Sequence, residues 1–250
     1  MNLSPASGLR ALGSLGLVTG RAVRALPRMD RREFIRSLVH FGYDSIPLGL
    51  AISIFTGGIL VMLANINVQR YGAKPILGWA AGYAILREFG PLLMALVMSG
   101  RIGARNAAEL ASMGIGGQLE GLLGVGVDPY ALLVAPRLAA SAIAIFALGL
   151  FCNLISILSG AVFGQLLIDV EVGLFFRSFA MLLDWRDVAA AAVKMVCFGV
   201  LIALVSTRAG LSARGGAQAV GRSAAEGVVA SAALISVVDW VLTVVLAEVL

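Results

Sequence analysis

One histidine, two lysines and two cysteines in 250 residues leave few chemical options. With His40 alone, a histidine metal cluster is excluded and a Ser-His dyad has little room, so an intramembrane serine hydrolase built on Ser99 or Ser159 is set aside. Neither Lys74 nor Lys194 stands in a GxxxxGK[ST] frame, so the chain has no phosphate-binding loop of its own. If nucleotide drives its work, another chain must bind that nucleotide, and no cofactor is expected here. Cys152 and Cys197 lie far apart in apolar runs without a CxxC spacing and read as small core residues. Charge is also scarce, at 13% of residues, whereas hydrophobic residues reach 60% and mean hydropathy is +0.96. Soluble domains average roughly 25% charged and about 45–50% apolar residues, so the departure is toward the membrane.

The net charge of +5 does not indicate nucleic acid. Arg10, Arg21, Arg24, Arg28, Arg31, Arg32 and Arg36 precede the first long apolar run, and most other arginines sit near the ends of later runs. That is the distribution of a membrane protein anchored on its cytoplasmic side. Residues 1–27 carry no sustained apolar core and read as a flexible cytoplasmic lead-in. Residues 28–43 read as an interfacial helix, with Phe34, Ile35, Leu38 and Phe41 opposite Arg31, Arg32 and Arg36.

Apolar runs long enough to cross a bilayer, which takes about 20 residues, occupy about 46–69, 76–104, 132–167, 188–207 and 227–246. The third is too long for one straight crossing, so a bend or re-entrant end is expected. The fold class is therefore all-α integral membrane protein, an N-terminal interfacial helix plus five transmembrane helices. Between spans two and three a polar segment, about 109–127, reads as a cytoplasmic coupling helix ended by the Asp128-Pro129 turn. With an odd number of spans and the N-terminus cytoplasmic, Arg101, Arg105, Arg137, Arg208, Arg214 and Arg222 fall inside.

Arg87 and Glu88 lie near the middle of span two, beside Gly90 and Pro91. Pro91 lacks an N–H and so frees the Arg87 carbonyl one turn back, favouring a kink. Intramembrane charges are costly and mark function or assembly. Two readings stand level: a pocket for a charged or zwitterionic headgroup, or buried ion pairs with Lys194 and Asp239. A passive anchor for soluble partners is a third reading, and it expects Arg87 and Glu88 to be jointly replaceable by apolar residues. Small residues at Gly78/Gly82 and Ser156/Gly160/Gly164 permit close helix packing, within the chain or between copies.

The run Glu88-Phe-Gly-Pro91, Gly100-Arg101, Gly103, Ala108-Glu109, Ser112-Met113, Gln118, Leu122, Gly126-Val-Asp-Pro129 and Pro136-Arg137 resembles the central motif of the MlaE/YrbE-type permeases of ABC lipid transporters. A second block strengthens the resemblance: Asp187, Lys194, Phe198-Gly199, Arg214 to Ala217, Val220 to Arg222, Val228 to Ser231 and Asp239. It implies a homodimeric permease of the bacterial inner membrane, bound to cytoplasmic ABC ATPase subunits and to a periplasmic MCE-domain protein. Phospholipid would be moved between membrane and MCE partner, with no covalent chemistry and no nucleic acid; a sterol or another hydrophobic substrate is the alternative. Arg87, Glu88 and Tyr71 would line the lipid site, and Glu109, Met113, Gln118, Glu120 and Asp128 would face the ATPase. Gly114, Gly116, Gly117 and Leu123 stand where the family commonly has polar or charged residues, which lowers helix propensity in the coupling segment.

Overall fold

In the computed structural model, residues 5–70 and 74–249 are described, with side chains over 13–68 and 75–249. Tyr71 lies outside the described residues. Among them every regular element is a helix: α1 (Pro5–Ala25), α2 (Arg31–Phe41), α3 (Ile46–Arg70), α4 (Leu77–Ala84), α5 (Gly90–Met98), α6 (Ala104–Ile115), α7 (Gln118–Gly124), α8 (Ala135–Ile168), α9 (Val172–Leu182), α10 (Trp185–Leu211) and α11 (Ala217–Val249). Among the described residues five helical stretches are long and apolar enough to cross a membrane, making this a multi-pass membrane protein of all-α class.

Span two is continuous only because two π-helical segments, Ile85–Phe89 and Ser99–Gly103, join α4, α5 and α6. A third π segment, Tyr130–Val134, opens α8. The segments at 85–89 and 130–134 each end two residues before a proline, Pro91 and Pro136. A proline withholds the N–H owed to the residue four back, and a widened turn absorbs the lost bond instead of a sharp kink. Gly90 completes the first of them: its N–H reaches back to Ile85 O, and a Cβ there would overlap the Asn153 amide oxygen.

The chain forms two compact units. The first holds residues 1–43, 95–144 and 197–235. Here the N-terminal segment is helical, contrary to the expected loose lead-in: Val18, Ala22 and Ala25 are buried and α1 packs on the Tyr130–Val134 segment. Small side chains at the contact allow that approach although the composition is arginine-rich. α2 begins at Asp30, whose carboxylate accepts from the Arg32 N–H at 3.1 Å, an N-cap. Phe41 is buried, while Ile35, Val39 and Tyr43 stay exposed, so α2 keeps an outward apolar strip. The coupling segment, expected as one helix, is two. It breaks at Gly116-Gly117, where Gly117 takes φ +72°, a conformation glycine reaches without strain.

The second unit holds residues 44–94, 145–196 and 236–250. Its core gathers Leu60, Val61, Leu77, Ile85, Ile157 and Phe175 from α3, α4, α8 and α9 with the adjoining π segment. The small-residue spacings are used within the chain. Gly57 of α3 lies on the Ser156 carbonyl of α8, and Gly78 of α4 lies on the Phe175 carbonyl of α9. A Cβ at either would collide with backbone. α9 is a short helix in the connection between α8 and α10. α8 runs unbroken for 34 residues, without the re-entrant end anticipated for span three. At 1.5 Å per residue it is about 51 Å long, more than the roughly 30 Å hydrocarbon layer, so its surplus length projects or tilts rather than folding back.

Candidate functional site

In the second unit the π segment at 85–89 turns Arg87 and Glu88 toward α10 and α11, and each finds a different partner. Arg87 Nη1 donates to Asp187 Oδ1 at 2.9 Å, Nη2 reaches Leu246 O at 3.5 Å, and the guanidinium stands 5.6 Å from the Tyr83 ring centroid. Lys194, 1% exposed, donates to Glu88 Oε2 (2.8 Å), to Thr243 Oγ1 (2.8 Å) and to the Arg87 carbonyl (2.9 Å). The last of these is the carbonyl that Pro91 cannot bond, so the donor missing from the helix is supplied by an ammonium from α10. Of the pairs anticipated with Lys194 and Asp239, the structure forms Glu88–Lys194, whereas Arg87 takes Asp187 and Asp239 lies against Lys194.

An ammonium has three N–H donors, and Lys194 has spent all three. Asp239 Oδ1 nevertheless lies 2.9 Å from its Nζ and is buried without a hydrogen bond. It holds an ionic contact only, one acceptor more than the cluster can serve. Thr243 reinforces the crowding: its Oγ1 accepts from Lys194 and stands 2.9 Å from Glu88 Oε1 and 2.8 Å from the Asp239 carbonyl. Three carboxylates thus face two cations. Arg87 and Glu88 keep 16% and 34% of their side-chain surface open, whereas Lys194 and Asp187 keep 1% and 8%. The cluster therefore has a closed base and an accessible rim formed by the two residues singled out in the sequence.

Asp187 and Thr243 were not assigned these roles from sequence. A signal was there: Asp187 and Lys194 are seven residues apart on α10, on one helical face, and repeat the opposite-sign order of Arg87 and Glu88. Asp239 and Thr243 are likewise spaced by four on α11.

A second polar node lies in the first unit. Arg137, counted above as a surface anchor, is instead 3% exposed. Its guanidinium contacts Glu33 Oε1 of α2 (3.2 Å), Glu109 Oε2 of α6 (3.1 Å) and Asn106 Oδ1 (3.1 Å). Asn106 in turn donates to Ser206 and Thr207 of α10. One buried fork thus ties α2, α6 and α8 together, and Asn106 adds α10. Glu109, also paired with Arg105 at 2.9 Å, is partly committed to this node. Met113 and Gln118 line an open apolar cavity of about 390 Å³ with Leu119, Leu122, Val125 and Leu133. Glu120 is exposed on α7, and exposed Asp128 accepts from the Tyr130 N–H at 2.9 Å. The five residues expected at a partner surface therefore stay in one unit but on three distinct features.

Residues 34–245 match the family described as Permease MlaE. A probable ABC transporter permease protein of Rickettsia conorii is 30% identical over 236 residues, covering 94% of this chain and 91% of its own. A probable ABC transporter permease protein of Synechocystis is 31% identical, over 86% of this chain and 82% of its own. The intermembrane phospholipid transport system permease protein MlaE of Haemophilus influenzae is 26% identical, over 95% and 92%. With a match that runs from α2 to α11, this chain belongs to the MlaE permease family.

Proposed function

We propose that this chain is the membrane subunit of an ABC-type transporter that moves phospholipid between the bacterial inner membrane and a periplasmic MCE-domain protein. The observation that carries the reading is the charged cluster of α10, α11 and the 85–89 π segment, with its buried base and its open Arg87–Glu88 rim. A headgroup bearing both phosphate and amine offers an acceptor to Arg87 and a donor to Glu88, the two accessible members of the cluster. The name of the Haemophilus relative supports phospholipid as the cargo.

The N-terminus is placed in the cytoplasm and the α6–α7 segment against separate ATPase subunits. Glu109, Met113, Gln118, Glu120 and Asp128 are the contacts proposed there, and the Gly116-Gly117 break divides that surface into two short helices. Two copies of the chain form the working unit. α11, whose most apolar stretch is 17% buried against 50% in α10, offers a face for the second copy. Nucleotide-driven closure of the ATPases then alternately opens and squeezes the lipid site.

The test is lipid mass spectrometry on the purified chain, wild type beside Arg87→Ala/Glu88→Ala, with thermal unfolding as a control. Phospholipid retained by wild type and depleted in a folded double variant supports the headgroup site. Equal phospholipid in both variants reduces Arg87 and Glu88 to structural ion pairs, and a co-purifying sterol replaces the cargo.

A further inference from the structure

A cavity of about 430 Å³ in the first unit takes no part in the cluster described above. Its walls are Arg21, Arg24 and Arg28 from the α1 end and Leu123, Asp128 and Tyr130 from the turn between α7 and α8. Arg21 and Arg24, three residues apart on α1, share one helical stripe, and Arg28 follows in the 3-10 turn Leu26–Arg28. Leu17, 66% exposed, continues that stripe one turn earlier. Ala22 and Ala25 of α1 are buried, and Ala25 forms part of the cavity wall beside the arginines.

The electrostatics are one-sided. Arg21 stands 5.6 Å from the Tyr130 ring centroid, and none of the three arginines forms an ion pair among the described residues. The one carboxylate in the wall, Asp128, already accepts the Tyr130 N–H. Three guanidiniums thus line a concave site whose size falls within the roughly 300–1,000 Å³ of ligand pockets. Guanidinium forks match phosphate oxygens in pairs. Leu123 in the wall and Leu17, one turn before Arg21, are exposed and apolar. A purely soluble anion would leave those side chains without a role.

We propose that this cavity binds the phosphate headgroup of an anionic phospholipid, with acyl chain lying over Leu17 and Leu123. The lipid bridges α1 to the turn after α7, so its occupancy holds the N-terminal helix to the segment that leads into α8. A diffuse basic face would also attract an anionic leaflet. It would do so without regard to which arginines carry the charge, and that difference decides between the two.

The experiment is native mass spectrometry of the full chain in detergent, titrated with phosphatidylglycerol or phosphatidylcholine. Four proteins are compared: wild type, Arg24→Ala/Arg28→Ala, Arg24→Lys/Arg28→Lys, and Arg31→Ala/Arg32→Ala, whose two arginines are exposed and outside the cavity. Wild type is expected to hold phosphatidylglycerol at least about tenfold more tightly than phosphatidylcholine, and Arg24→Ala/Arg28→Ala to lose about that factor. The lysine pair is expected to lose about threefold or more, because charge remains but the fork does not. Arg31→Ala/Arg32→Ala should stay within about twofold of wild type. Equal losses in the two alanine pairs overturn the proposal in favour of a diffuse field. Unchanged affinity in Arg24→Ala/Arg28→Ala overturns it outright, and displacement of the lipid by millimolar inorganic phosphate reassigns the site to a free anion. Should the alanine pair not fold, the lysine pair, which keeps every charge, still decides.

Discussion

Lys194→Met is the substitution for which the structure gives the sharpest expectation. The ammonium is 1% exposed, makes three hydrogen bonds and neutralises two carboxylates. Methionine has nearly the same length and no charge, so packing is preserved while Glu88 and Asp239 lose their cation. Breaking a buried ion pair from one side costs about 3–5 kcal/mol, chiefly because the abandoned charge stays buried. Glu88 retains 34% exposure and is relieved by water, which argues for the lower end of that range. At about 2–4 °C per kcal/mol for a chain of this size, the melting temperature should fall by about 6–12 °C. The assay is thermal unfolding in detergent followed by size-exclusion fluorescence. Lys194→Met/Glu88→Gln/Asp239→Asn should recover at least half of the loss, because a neutral cluster no longer strands charge. A single variant within about 2 °C of wild type, or a triple variant no better than the single, would refute the reasoning.

Other expectations are briefer. Exchanging Arg87→Asp with Asp187→Arg should restore part of the stability that either change alone removes, read as a double-mutant cycle on melting temperature. Asn106→Leu leaves the Arg137 Nη1 donor without its partner and should cost about 1–3 kcal/mol; a neutral result in thermal unfolding would deny that node its role. Gly57→Ala drives a methyl into the Ser156 carbonyl and should cost about 1–3 kcal/mol. Gly121→Ala meets nothing within 4 Å and should stabilise α7 by up to about 1 kcal/mol. The same melting assay reads both, and the two glycines should differ in sign.

The spans were legible because their signal is composition over length, which packing does not overturn. Ile46–Arg70, Trp185–Leu211 and Ala217–Val249 enclose the runs read from hydropathy. Arg87, Glu88, Lys194 and Asp239 stood out because charge is rare in apolar runs, and the structure brings all four together. What escaped was pairing. Asp187 sits at a span end, where a carboxylate looks like an ordinary surface residue, and only α10 packing makes it the partner of Arg87. Arg137 misled in the opposite way: near a span end it read as an anchor, yet Glu33 and Asn106, distant in sequence, bury it. The N-terminal helix escaped for a related reason. Ala22 and Ala25 carry almost no hydropathy signal, and their value lies in letting α1 approach the Tyr130–Val134 segment. The Gly116-Gly117 break was foreshadowed by its glycines, but a lowered helix propensity does not say whether a helix weakens or ends.

The central claim is that the open rim of the intramembrane cluster handles the lipid, and reconstitution tests it most directly. Vesicles containing this chain with the ATPase subunits and MCE-domain partner proposed for it would be given ATP, and phospholipid arriving on the MCE protein would be counted. Glu88→Gln is the informative variant, since it removes the rim charge while keeping the side chain's shape and a hydrogen-bond acceptor for Lys194. The account predicts ATP-dependent transfer by wild type and at least about a tenfold loss in Glu88→Gln, with ATP hydrolysis and melting temperature retained. Full-rate transfer by a Glu88→Gln protein would contradict it.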